Sequence, residues 1–145
     1  MYRACIVTAD TQHSRIYVFD RTTDEDKLDE HFLETAVLAS THVEHRGGHE
    51  DNEIAQFARH VMARVREVTD EHGIVNVFLV AGPRMLGQLR NARRGSLRPD
   101  ALVTEVAHEL TKLTPHDLRA QLGDQHVLPP VPSRSQASHR EIPSG

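Results

Sequence analysis

A single cysteine, Cys5, in a chain of 145 residues has no partner for an internal disulfide and cannot build a thiolate zinc site alone. Disulfide scaffolds and zinc ribbons are thereby excluded. Tryptophan is absent and aromatic residues make up 4% of the chain. No long hydrophobic run occurs: the longest, Ile74 to Gly82, is interrupted by Asn76 and falls far short of the ~20 residues that cross a bilayer, so no membrane span is expected. Met1 to Val7 lacks an apolar segment followed by a small-residue cleavage site, which predicts a cytoplasmic protein. There is no excess of positive charge either. The formal net charge of −4 argues against general coating of DNA and predicts no DNA-specific readout, leaving open a local basic patch. A nucleophile elbow, a phosphate-binding P-loop and a dinucleotide fingerprint are all missing, so no serine-triad chemistry and no cofactor are expected.

What remains is ordinary for a folded domain: 38% hydrophobic and 26% charged residues, enough for one core. Residues 3 to 9 and 14 to 20 are rich in β-branched and aromatic types, and Asp10-Thr11-Gln12-His13 between them supplies turn chemistry, which predicts an opening hairpin. Ile16 and Val18 alternate with Tyr17 and Phe19, so both faces of the second strand are apolar and the sheet is expected to be covered on both sides. The polar run from residue 20 to 30 reads as an exposed connection, followed by a third strand near His31 to Leu38.

From Asp51 to His72, Ile54, Phe57, Ala58, Val61, Met62, Val65 and Val68 recur at helical spacing. Asp51 or Asn52 is the expected N-cap, and Gly73 the left-handed stop. The run Ile74 to Ala81 predicts a strand buried on both faces and central in the sheet. Gly82-Pro83 then opens a short helix. Ala101 to Val106 reads as a further strand, and Thr114-Pro115 as the start of a helix reaching Leu122. Strands alternating with helices after a hairpin define an α/β protein with a mixed β-sheet flanked by helices. The expected domain spans residues 1–122. Residues 123–145, with Pro129, Pro130, Pro132 and Pro143 among polar residues, read as a mobile tail or as a strap docking on a second copy.

Two segments carry candidate chemistry. In the first, Arg46-Gly47-Gly48-His49 places two glycines just before the long helix, where free backbone amides can face an anion; the alternative is a plain flexible entry loop, and Glu50 and Asp51 already place negative charge there. His42, His45 and His49, with Glu44 or Asp51, have zinc-compatible side chains but a spacing that fits no metal motif, so no metal is expected. In the second, Arg84, Arg90, Arg93, Arg94 and Arg98 lie between Pro83 and Pro99 with no acidic residue among them. Arginine forks match phosphate. With no aromatic ring in the segment, contact with an RNA backbone or an acidic partner is expected at Arg90, Arg93, Arg94 and Arg98 without base reading, the alternative being a solvated helix face. Arg84 stands apart, held by packing or a salt bridge. Cys5 in the first strand reads as a small buried hydrophobe, and His108-Glu109, adjacent in an extended segment, as structural.

The strand end Val80-Ala81, the following Gly82-Pro83-Arg84-Met85-Leu86-Gly87-Gln88-Leu89-Arg90, the helix segment Glu53 to Ala58 and the later Glu109-Leu110-Thr111-Lys112-Leu113 together resemble the bacterial host attachment protein family. That family is similar to the middle domain of archaeal and eukaryotic peptide-chain release factors, which implies a ribonuclease-H-like α/β sheet. Arg46-Gly47-Gly48-His49 and the helix with Phe57-Ala58-Arg59 look like the release-factor loop and its helix, with His49 where release factors carry glutamine. The resemblance implies a non-enzymatic binding domain associated with the ribosome or RNA. Two alternatives stand beside it: a peptidyl-tRNA ester hydrolase in which His49 orients water, and a protein-only scaffold that forms a homo-oligomer through its sheet edge or tail.

Overall fold

The computed structural model describes residues 1–40 and 50–131. The loop Arg46, Gly47, Gly48 and His49, with His42, Glu44 and His45, lies outside the described residues, as does the tail beyond Val131. Two compact units divide the chain, Met1–Lys112 and a second that begins at Leu113.

The first unit is built on a five-stranded sheet. Its strands are β1 (Tyr2–Ala9), β2 (His13–Asp24), β3 (Lys27–Ala39), β4 (Asn76–Ala81) and β5 (Leu102–Val106), in the order β3-β2-β1-β4-β5. The pairs β1–β2 and β2–β3 are antiparallel, while β1–β4 and β4–β5 are parallel, so the sheet is mixed. The two crossovers contain α1 (Glu50–His72) and α2 (Pro83–Ala92).

The apolar stripe read from the sequence is the face α1 buries: Phe57 is 3% exposed, and Ala58, Val61, Met62 and Val65 are fully covered. They pack with Cys5, Val7, Ile16, Val18, Val77 and Leu79 from alternate positions of the strands and with Met85, Leu86 and Leu89 of α2. On the opposite face of the sheet Ile6, Tyr17, Phe19 and Val80 are also buried, and Tyr17 stacks on Phe32 with ring centroids 4.8 Å apart. Both faces are therefore apolar, as the double alternation in β2 required. Gly73 closes α1 at φ +64°, and the Ile74 amide donates to the Thr69 carbonyl at 2.9 Å, which satisfies one of the last carbonyls of the helix.

Three expectations about this unit need correction. The polar run 20–30 is not a loop but the end of a long hairpin. Asp24 and Lys27 face each other across a two-residue turn with Glu25 at φ +55°, and Arg21 opposes Glu30, so the charges stabilise the ladder across the strands. The centre of the sheet is β1, with β4 beside it; a run buried on both faces marks an interior strand but does not say which. Helix α1 already includes Glu50, so Asp51 and Asn52 lie inside its first turn rather than capping it.

In the second unit, α3 (Pro115–Asp124) starts where expected, with the Thr114 hydroxyl accepting from the Asp117 amide. It runs two residues past Leu122, since Gly123 stays helical and the chain turns only at His126, φ +61°. The Val127 amide then donates to the Leu122 carbonyl, and Arg119 donates through Nη2 to the Pro129 carbonyl at 2.7 Å.

Candidate nucleic-acid interface

The C-terminal end of α2, the turn after it and β5 enclose a cleft of about 290 Å³. Arg90, Arg93, Arg94 and Arg98 line it, so four of the five arginines of the basic segment converge there. Its apolar part comes from Leu97, Pro99, Ala101 and Val103. The turn is fixed from both sides: Ser96 Oγ donates to the Ala92 carbonyl at 2.7 Å, Arg66 of α1 donates to the Ser96 carbonyl at 3.2 Å, and Gly95 takes φ +75°.

The basic run in the sequence has no acidic member, yet folding supplies three. Glu105 in β5 meets Arg90 in a bidentate pair, with Nε to Oε2 at 2.9 Å and Nη2 to Oε1 at 2.5 Å. That hydrogen bonding holds the Glu105 carboxyl below its ordinary value, with the charge of Arg93 adding to the effect, and pushes the Arg90 guanidinium further up. Asp100 accepts from Arg98 through Nε at 3.1 Å and Nη2 at 2.9 Å, and Asp70 of α1 lies 3.8 Å from Arg98 Nη1. Arg93 and Arg94 are different: among the described residues their side chains make no hydrogen bond and no ion pair. The expected patch of uniform positive charge is therefore two braced guanidiniums beside two open ones. Asp100 was visible two residues from Arg98. Glu105 and Asp70 were not, because their closeness depends on strand register and on the packing of α1.

The other sequence candidates separate from this cleft. Arg84 reaches Asp51 at 2.8 Å, tying the start of α2 to the first turn of α1. Asp10, at the carboxyl end of β1, uses both oxygens: Oδ1 accepts from the amides of Gln12 at 2.8 Å and His13 at 2.6 Å, and Oδ2 from the Thr111 hydroxyl at 3.2 Å. It thus builds the β1–β2 turn. Glu109 shares a smaller cleft of about 180 Å³ with Asp10 and Arg84; His108 and Glu109 follow β5 in irregular chain rather than lying within a strand. Cys5 is buried in β1, and burial pushes its thiol up to about 12. No helix among the described residues is long and apolar enough to cross a membrane.

Sheet order, strand directions and helical crossovers together place the chain among ribonuclease-H-like α/β proteins. The RuvC structure of Thermus thermophilus is similar with a TM-score of 0.51 and 13% identity, covering 92% of this chain and 85% of that one, a likeness of fold alone. The PPX-GPPA enzyme of Aquifex aeolicus is similar at a TM-score of 0.43 and 17% identity over 73% of this chain and 36% of that one. Within the fold class, the chain belongs to the family described as "Protein required for attachment to host cells", whose profile matches residues 5–122. No curated protein matches the sequence.

Proposed function

We propose that this protein is a non-enzymatic binding module that contacts RNA, with the ribosome as its target, through the arginine-lined cleft of α2 and β5. The observation that carries the reading is the pair of open guanidiniums, Arg93 and Arg94, beside Arg90 and Arg98, which carboxylates hold in place. Braced arginines hold a fixed geometry, and open ones exchange water and counterions for phosphate. The resemblance of residues 46–49 and of Phe57-Ala58-Arg59 to the release-factor middle domain supports the ribosome as the source of that RNA. A requirement for attachment to host cells is met as well by a protein acting through synthesis of the attachment machinery as by one that touches the host.

Co-sedimentation with purified ribosomes tests the reading. Neutralising two phosphates predicts roughly tenfold weaker binding between about 50 and 200 mM salt. The Arg93→Glu/Arg94→Glu double variant is expected to stay in the supernatant at both. No sedimentation of the wild type at low salt, or sedimentation indifferent to the double charge reversal, overturns it.

A further inference from the structure

The cleft offers two kinds of surface, and its four arginines are not equivalent. Arg98 donates through Nε and Nη2 to Asp100, with Nη1 3.8 Å from Asp70, and Arg90 donates through Nε and Nη2 to Glu105, so in both the Nε–Nη2 edge is occupied and the plane is held in a fixed orientation. The flat face of such a guanidinium stays available beside its remaining N–H groups, and a guanidinium face stacks on a planar π-system. Arg93 and Arg94 keep their donor edges, the part that grips a phosphate. Between them, Leu97, Pro99, Ala101 and Val103 give an apolar lining that a bare phosphate does not use. At about 290 Å³ the cleft sits near the lower limit of small-ligand sites, about 300 Å³, which suits one base with its phosphate rather than a length of duplex.

We infer that the cleft binds a single unpaired nucleotide of an RNA strand, its base against the apolar lining and the faces of Arg90 and Arg98, its phosphate on the edges of Arg93 and Arg94. This rests on the RNA-binding reading above and narrows it, from backbone contact of any kind to single-stranded RNA. Stacking on guanidinium planes replaces the aromatic platform the segment lacks. An acidic peptide would satisfy Arg93 and Arg94 but would leave the stacking faces unused.

Fluorescence anisotropy with a labelled single-stranded hexaribonucleotide tests the inference, with the same sequence as a duplex, inorganic phosphate and a glutamate-rich peptide as comparators. The single strand is expected to bind at least tenfold more tightly than the duplex. Ala101→Phe, which fills the apolar part, is expected to reduce single-strand affinity to the duplex level and leave duplex binding unchanged. Arg93→Gln/Arg94→Gln should weaken both. Pro99→Phe, uncharged and at an exposed position, serves the same purpose should Ala101→Phe impair folding by circular dichroism. Equal affinity for single strand and duplex, unaltered by filling the cleft, overturns the nucleotide site while ribosome co-sedimentation still sustains the broader reading. Competition by phosphate or by the peptide as effective as that of the oligonucleotide overturns it as well, in favour of a bare anion site or an acidic protein partner. Binding of neither the oligonucleotide nor ribosomes removes both.

Discussion

The two outer strands of the sheet end it in opposite ways. On one side β5 has five residues, and Arg90 of α2 pairs with its Glu105 in a bidentate contact. On the other, β3 has 13 residues, leaves Leu33 and Val37 each 61% exposed, and carries Asp29, Glu30 and Glu34. A long edge with exposed apolar residues invites pairing by a foreign strand, and two devices oppose it here: acidic side chains along the strand and a register shift at Ile16/Tyr17 that leaves Thr35 without a partner in the ladder. The comparison teaches that apolar character at an edge does not by itself mark a contact surface. The β5 side holds Arg90 and Arg98 in fixed pairs beside a concavity, the feature on which the proposed RNA contact rests, whereas the acidic residues and register shift of the β3 side disfavour pairing by a further strand.

The largest test of that contrast compares one residue type in two places. Leu79 in β4 is fully buried and Leu33 is mostly exposed. Leu79→Ala is expected to cost about 3 kcal/mol in urea unfolding and Leu33→Ala less than about 0.5 kcal/mol. Comparable losses would show that the β3 edge is covered in solution. A smaller effect is expected on the β5 side at Gly95, whose φ of +75° disfavours a side chain although the space around it is open. Gly95→Ala should cost about 1 kcal/mol by the same measurement, and no loss would mean that the turn shaping the cleft relaxes freely.

The smallest effect belongs to the β3 side and depends on pH. His31 bonds Asp20 through Nδ1 at 3.1 Å, and this contact, then the charge of Asp29, raises its pKa above the ordinary 6.5. A raised histidine stabilises the fold fully below its unfolded value and loses that contribution as pH rises through the folded one. The urea midpoints of wild type and His31→Gln should therefore differ below pH 6.5 and converge in more alkaline buffer. A gap that persists or widens on the alkaline side contradicts the ion pair.

Much of this architecture was legible because its signals are local. The stripe on α1, the stop at Gly73, the Gly82-Pro83 helix start and the Thr114 cap each follow from a few neighbouring residues and a backbone preference. Resemblance carried the family and the ribonuclease-H-like sheet. The extension of the β2–β3 hairpin was hidden because charged residues read as loop when scanned along the chain, although Asp24 with Lys27 and Arg21 with Glu30 are complementary across it. The cleft was half legible for the same reason. Its arginines and Asp100 lie close together in sequence, but Glu105, which braces Arg90, and Asp70, which approaches Arg98, come from β5 and α1, and register and packing are not written locally.

Cys5, sealed in the middle strand with its thiol pushed up to about 12, has a practical corollary. It stays protonated and shielded in any neutral buffer, so a thiol introduced at the rim of the cleft, at Arg94 for instance, would be the reactive one. Fluorophores or spin probes could then be attached there without first removing the native sulfhydryl.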